Sequence, residues 1–234
     1  MKPLLALLLS LSAQAVEKPA PASRTILLVR HGHYLPDPTA DEKLGPHLSP
    51  LGVAQAKLVG ARLAGMPARF DAVYVSPVQR ALDTAAVIGA GFPDRQFEVV
   101  EELAECTPPT RRTKVTAAEK PADLAACEAQ LNTLFAEHFR PAAGAERTEL
   151  MVAHGNVIRS MIVRALGVDH GAWLELSIGH ASITRIRVEA DGTFRLISAG
   201  DVGHLPPNML TGATGDAEHS LAVPPLATTD SKGS

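Results

Sequence analysis

The chain has 234 residues, 46% of them hydrophobic and 20% charged, which suffices for one sizeable core and, at this length, one domain. A formal net charge of −3 with no concentrated basic patch argues against a nucleic-acid partner.

At the N-terminus, Lys2 precedes a short apolar run from Leu4 to Leu11, and Ala13-Gln14-Ala15 offers an A-x-A cleavage site. The pattern predicts a signal peptide over residues 1–15 and an exported protein, periplasmic or secreted. The run is too short to anchor the mature chain in a bilayer, and no cysteine follows the cleavage site to carry a lipid. Residues 16–24, rich in Ala and Pro, read as a linker.

Thr25–Val29 is a continuous apolar run suited to a buried strand. A loop from Gly32 to His47, with three prolines, separates it from a helix opened by Ser49 as N-cap and Pro50 in the first turn. Asp71–Val75 predicts a second strand, and Ser76-Pro77 repeats the helix-start signal. Phe97–Val100 is a third short strand. The polar stretch from Cys106 to Pro121 reads as an insertion loop, followed by a helix over 122–139. Leu150–Ala153 is a fourth strand, leading into a helix from Asn156 to Leu166 with Gly167 at its C-terminal end. Ser182–Val188 and Thr193–Ser198 flank Asp191-Gly192, the signature of a hairpin. Residues 208–234 are rich in Thr, Gly, Ala, Pro and Ser and predict a disordered tail.

Strands alternating with helices imply an α/β protein with a mostly parallel sheet, in which ligands sit beyond the carboxyl ends of the strands. Those ends carry Arg30-His31-Gly32-His33, then Ser76 with Arg80 a turn further on, then Glu101, Glu102 and Glu105, then His154-Gly155-Asn156. Two histidines, two arginines and an acid suit phosphoryl transfer. An arginine fork grips two phosphate oxygens, and a neutral imidazole has a lone pair for phosphorus. A protonated carboxyl can supply the leaving oxygen with its proton.

The ordered set Arg30-His31-Gly32, Ser76-Pro-x-x-Arg80 and His154-Gly155, with Leu48-Ser-Pro-Leu-Gly-Val-Ala-Gln-Ala56 between, resembles the histidine phosphatase superfamily, which includes the phosphoglycerate mutases. The likeness covers Thr25 to Pro207. Within the family it is to the mitochondrial serine/threonine protein phosphatase branch, through His154–Arg159, Gly171–Ser177, Ala181–Thr184 and Gly200–Pro207.

The resemblance implies a three-layer α/β/α sandwich of the phosphoglycerate mutase type over residues 25–207. It implies a phosphatase for phosphomonoesters, phosphoserine and phosphothreonine among them, that needs no metal and no cofactor. His31 is then the nucleophile, Arg30 and Arg80 bind phosphate, and His154 steadies the transferring group. The family's acid follows an L-x-E pattern, which Leu103-Ala104-Glu105 fits, leaving Glu101 and Glu102 as rivals. Mutases of the family continue after the acid with Arg-His-Tyr-Gly, whereas this chain has Cys106-Thr107-Pro108-Pro109. That departure, with export, favours hydrolysis over a phosphomutase, and the presence of every residue type the chemistry requires argues against the second rival, a non-catalytic phosphate-binding module.

Other residues keep two readings at this point. His33 either lines the substrate pocket or belongs to a solvated loop; as half of an H-x-H pair it is a poor metal site beside two arginines. Asn156 reads first as a helix cap and second as a substrate ligand, while the Gly155 and Asn156 amides form an anion site at a helix start. Arg111, Arg112 and Lys114 are either a solvated loop or a grip on a second anionic group. Trp173 and Leu174 read as core, and His204 is placed near the site. Cys127, on a helix face with Leu124, Leu131 and Leu134, reads as a buried free thiol, the alternative being a bridge to Cys106.

Overall fold

A computed structural model of the chain describes residues 19–67 and 69–212. The apolar run after Ser23 becomes β2 (Arg24–Arg30), preceded by the two-residue β1 (Pro21–Ala22). Ile26 and Leu28 enter the core on one face of the sheet, and Leu27 and Val29 enter the core on the other. A strand buried on both faces has to read as uninterrupted apolar sequence, which is why this one is legible.

The remaining elements are α1 (Pro50–Ala64), β3 (Ala72–Val75), α2 (Gln79–Gly89), β4 (Glu98–Val99), α3 (Pro121–His138), β5 (Ala142–Ala143), β6 (Arg147–Ala153), α4 (Gly155–Ala165), β7 (Ile183–Val188) and β8 (Phe194–Asp201). Six strands form the main sheet in the order β4-β3-β6-β2-β7-β8. β4, β3, β6 and β2 run parallel, while the hairpin β7–β8 adds two antiparallel pairings at one edge. Helices α1 and α2 cover one face through Val59, Leu63, Ala81, Ala85 and Ile88. Helices α3 and α4 cover the other through Leu131, Leu134, Ile158, Met161 and Ile162. The result is the expected three-layer α/β/α sandwich.

Ser49 caps α1 as its sequence signalled, accepting from the Gly52 amide. Gly52 itself is dictated by contact, because a Cβ there would lie 2.0 Å from the His33 carbonyl oxygen. The start of α1 is thereby drawn against the strand end that carries His31.

Four local readings are corrected. Ser76 does not cap α2, whose N-cap is Val78; its hydroxyl is bonded to His154 instead. Pro21–Ala22, read as linker, pairs antiparallel with Ala142–Ala143. Residues 208–212, read as the start of a disordered tail, are described, and Thr211 and Gly212 are buried. The rest of that tail, the signal-peptide segment and the first residues of the linker lie outside the described residues.

The fourth correction concerns the cysteines. Cys127 is not a free thiol but is bonded to Cys106, with their Cα atoms 5.6 Å apart. The cause is a docking contact: Gln130 Nε2 on α3 donates to the carbonyls of Glu102 and Ala104, holding the preceding turn against the helix. Cys106 then falls beside Cys127, a proximity that spacing along the chain does not reveal.

Candidate active site

Adjacent parallel strands β2 and β6 end together, Arg30 opposite Ala153, and the His31 amide donates to the Ala153 carbonyl. This registers His31 beside His154, their ring centroids 5.0 Å apart. β3 ends one strand further on, and its Ser76 amide donates to Val152. Both imidazoles are buried; His31 lines a cavity of about 200 Å³, and His154 packs against His31 without lining it.

His31 has one hydrogen-bond partner on each ring nitrogen, and both partners are unambiguous. A carbonyl can only accept and a guanidinium can only donate. Nδ1 therefore carries the proton and donates to the Gly32 carbonyl at 2.8 Å, and Nε2 accepts from Arg80 Nε at 3.1 Å. Burial, reinforced by His154 and Arg80, holds the His31 pKa well below its ordinary 6.5. The ring is neutral at pH 7, with its Nε2 lone pair held by Arg80 at the cavity wall.

Arg30 lies under the same pocket. Its Nη1 donates to the carbonyls of Ile178 and Gly212 and its Nη2 to His180 Nε2. Burial and then Arg159 lower its pKa to about 10, which leaves it charged at neutral pH. Its guanidinium passes so close to the start of α4 that a Cβ on Gly155 would sit 3.3 Å from Arg30 Cζ. Glycine at 155 is therefore a matter of space. Arg80 reaches the cavity from α2, its guanidinium 4.9 Å from the centre of the Tyr34 ring.

His154 bonds Ser76 Oγ through Nε2 at 2.7 Å, while its Nδ1 lies 3.9 Å from Glu105 Oε2. Burial, then Arg80 and Arg30, keep it neutral, well below its ordinary pKa. Glu105 is partly buried, and its Oε1 has no hydrogen-bond partner among the described residues. Desolvation raises its pKa above 4.5 against the pull of Arg80, Arg30 and Arg159. Glu101 and Glu102 lie on the preceding turn and do not line the cavity. Among the three rival acids, Glu105 is the one that lines the cavity.

The other sequence candidates divide. Gly155 and Asn156 line the cavity. Asn156 does not cap α4, where His154 is the N-cap; its Nδ2 donates to the Cys106 carbonyl and its Oδ1 accepts from Arg159. Asn156 thus ties the chain after the acid to the helix after the second histidine. His33 does not line the cavity: its Nδ1 pairs with Ser49 Oγ at the start of α1, behind the site. His204 is bonded to the Ala181 carbonyl and is also off the cavity. Arg111 and Arg112 close on Glu175 and, Arg112 first, hold its carboxyl down at about 2. Trp173 and Leu174 are buried core, and the indole donates to the Pro109 carbonyl beneath the insertion loop.

Tyr34, Thr107 and Arg159 line the cavity, and His180 packs behind it; none was singled out from the sequence. Arg159 did leave a signal: an arginine in the middle of the apolar helix α4, buried along its whole length, has to find a partner. His180 left none.

The sequence profile of the histidine phosphatase superfamily (branch 1) matches residues 26–132 and 135–201. The chain belongs to the histidine phosphatase superfamily. Among curated relatives, serine/threonine-protein phosphatase Pgam5, mitochondrial, of Caenorhabditis elegans is 35% identical over 200 residues, covering 83% of this chain and 69% of that protein. The human protein of the same name is 33% identical over 198 residues, covering 82% and 67%. Among solved structures, a phosphoglycerate mutase from Plasmodium falciparum superposes with a TM-score of 0.55 at 26% identity, covering 80% of this chain and 96% of that one. A phosphoserine phosphatase from Entamoeba histolytica gives 0.57 at 22% identity, covering 78% and 100%, a likeness of fold. This superfamily member is a phosphatase, a phosphoric monoester hydrolase, and its substrates are phosphorylated.

These relatives overturn the expectation of an exported, periplasmic or secreted protein carrying a signal peptide: they are named as mitochondrial proteins. That expectation rested on residues 1–15 alone. A short apolar run behind one lysine is an address read by a receptor, and the folded domain imposes nothing on it. Among the described residues, no helix is long and apolar enough to cross a membrane.

Proposed function

We propose that this phosphatase acts through a phosphohistidine on His31 and takes phosphoserine or phosphothreonine side chains of proteins. The contact between His31 and Arg80 carries the mechanism, because it leaves a neutral imidazole with its lone pair toward the site where phosphate would sit. An entering phosphoryl group takes the Arg80 donors from His31 and freely engages Nε2. Nε2 attacks phosphorus in line and the bond from phosphorus to the ester oxygen breaks. Arg30, Arg80 and His154 stabilise charge on the equatorial oxygens. The leaving oxygen takes a proton from Glu105. Water then attacks phospho-His31, gives its proton to the Glu105 carboxylate, and phosphate departs with neutral His31 restored.

Two observations favour a protein substrate. The relatives above are named serine/threonine-protein phosphatases. The cavity, about 200 Å³, accommodates a phosphoryl group on a short side chain and leaves the rest of the substrate outside. The test is hydrolysis of phosphoserine and phosphothreonine peptides beside p-nitrophenyl phosphate, with a metal chelator present, by wild type and His31→Ala. Acid-labile phosphate trapped on wild type and absent from His31→Ala is the expected result. Equal turnover in both proteins would remove His31 as nucleophile, and turnover of small esters alone would remove the protein substrate.

A further inference from the structure

A second cavity, of about 620 Å³, lies at the opposite end of β2 from the catalytic pocket. Its origin is in the sheet register. Thr25 and Leu27 on β2 stand opposite Arg187 and Arg185 on β7, and alternate residues share one face, so all four point to the α1 side. Helix α1 ends at Ala64, and the following Met66 and Pro67 with Phe70 wall the space from the side. That wall is apolar, and Leu27 adds an apolar patch to a floor otherwise made of Thr25, Arg185 and Arg187. The rest of the lining adds Arg62 and the hydroxyls of Thr25 and Thr148, and none of the lining residues is acidic.

The three arginines are not equivalent. Arg187 is spent on Glu146 and Glu189, and Arg62 reaches Asp201 at 3.5 Å. Arg185 has no hydrogen-bond or ion-pair partner among the described residues, and its Nε is buried without one. A guanidinium set at the edge of an apolar recess, with its donors unused, has the geometry of a receptor for a planar anion. One free fork matches one carboxylate. The apolar surface beside it matches a hydrocarbon body, and the volume is that of a small-molecule site.

We propose that this cavity binds a small amphipathic carboxylate, its head on Arg185 and its apolar body over Leu27, Met66 and Phe70. The site shares no lining residue with the catalytic pocket, so occupancy of one leaves the other accessible.

The test is calorimetric titration of the full chain with octanoate while orthovanadate saturates the catalytic pocket. Wild type should bind one octanoate saturably, and 1-octanol, which lacks the charge, should bind about tenfold or more weakly, as loss of a charge-assisted pair implies. Arg185→Glu should abolish octanoate binding while leaving p-nitrophenyl phosphate turnover within about twofold of wild type. Arg185→Met, which keeps the stem and removes the donors, provides the same comparison if the glutamate variant does not fold. Octanoate binding that survives Arg185→Met, that vanadate displaces, or that never saturates in wild type would overturn the proposal.

Discussion

Arg80 Nε donates to His31 Nε2 across 3.1 Å, so the residue that would grip phosphate also holds the imidazole. The arrangement couples a cation to a base that must not take up a proton. Arg80 is among the charges that lower the His31 pKa, after burial and His154. Arg80→Ala should therefore do two things: reduce kcat/KM by about 10²–10³-fold through loss of transition-state stabilisation, and let the His31 pKa rise. A proton NMR titration of the His31 ring reads the second effect independently of turnover. An unchanged ring titration would mean that Arg80 positions phosphate without tuning the nucleophile.

Glu105 is expected to matter in proportion to how badly the leaving group needs a proton. Glu105→Gln should slow hydrolysis of an alkyl phosphate such as phosphoserine by about 10²–10⁴-fold and that of p-nitrophenyl phosphate far less, since nitrophenolate departs unaided. The raised pKa of Glu105 puts the alkaline limb of the wild-type profile above 4.5. The neutral His31 puts the acid limb below 6.5. Equal losses on the two substrates would mean that Glu105 is structural and that the proton comes from elsewhere.

How far the sequence could be read depended on distance along the chain. β2 is visible because a strand buried on both faces must be apolar throughout, and the α1 start is visible because Ser49 and Pro50 settle it within one turn. Arg30, His31, Arg80, Glu105 and His154 follow from strand ends and an ordered motif. Ser76 was misread because the cap signal is local while the group that took its hydroxyl, His154, lies 78 residues away. The same reason hides His180, which meets Arg30 from 150 residues off, and the bond from the Asn156 amide to the Cys106 carbonyl, though Asn156 itself is a candidate from sequence. The bridge to Cys127 needed the docking of one turn on α3, a tertiary event with no periodic trace.

Gly155 offers a test of close packing at the site. A methyl group there meets Arg30 Cζ at 3.3 Å, and the guanidinium is tethered to Ile178, Gly212 and His180, so it has little room to retreat. Gly155→Ala should raise KM for phosphomonoesters and lower kcat/KM by about tenfold or more, with the fold intact by circular dichroism; a displacement of this order in a positioning group is enough. Wild-type kinetics in this variant would show that Arg30 is not held where catalysis needs it.

The Cys106–Cys127 bridge closes a loop of 21 residues immediately after Glu105, so it bears on both stability and catalysis. Loop closure of this size stabilises by about 3 kcal/mol. Reduction, or Cys127→Ser with Cys106→Ser, should lower the urea midpoint accordingly. It should also lower kcat on alkyl phosphates more than on p-nitrophenyl phosphate, because the acid loses one anchor of its segment while Asn156 and Gln130 keep theirs. A stability loss with both substrates equally affected would confine the bridge to a structural role.

Three buried neutral histidines should give the protein a distinctive acid sensitivity. His31, His154 and His180 all have folded pKa values well below 6.5, burial being the largest cause in each. As pH falls through 6.5 the unfolded chain takes up protons on these rings and the folded protein does not. Unfolding is then accompanied by proton uptake, and stability falls with pH. The contribution is complete above about 6.5 and declines below it, at most by about 4 kcal/mol per pH unit if all three rings act together. Glu105 works in the opposite sense, its raised pKa favouring the folded state as acid is added, but only near its own lower range. Between pH 7.5 and 5.5 the histidines therefore dominate. His180→Asn should flatten the dependence of the urea midpoint on pH, whatever it does to the midpoint at pH 7.5. An unchanged slope would mean that His180 accepts its proton in the folded protein, and the hydrogen bond it accepts from Arg30 would have to break first.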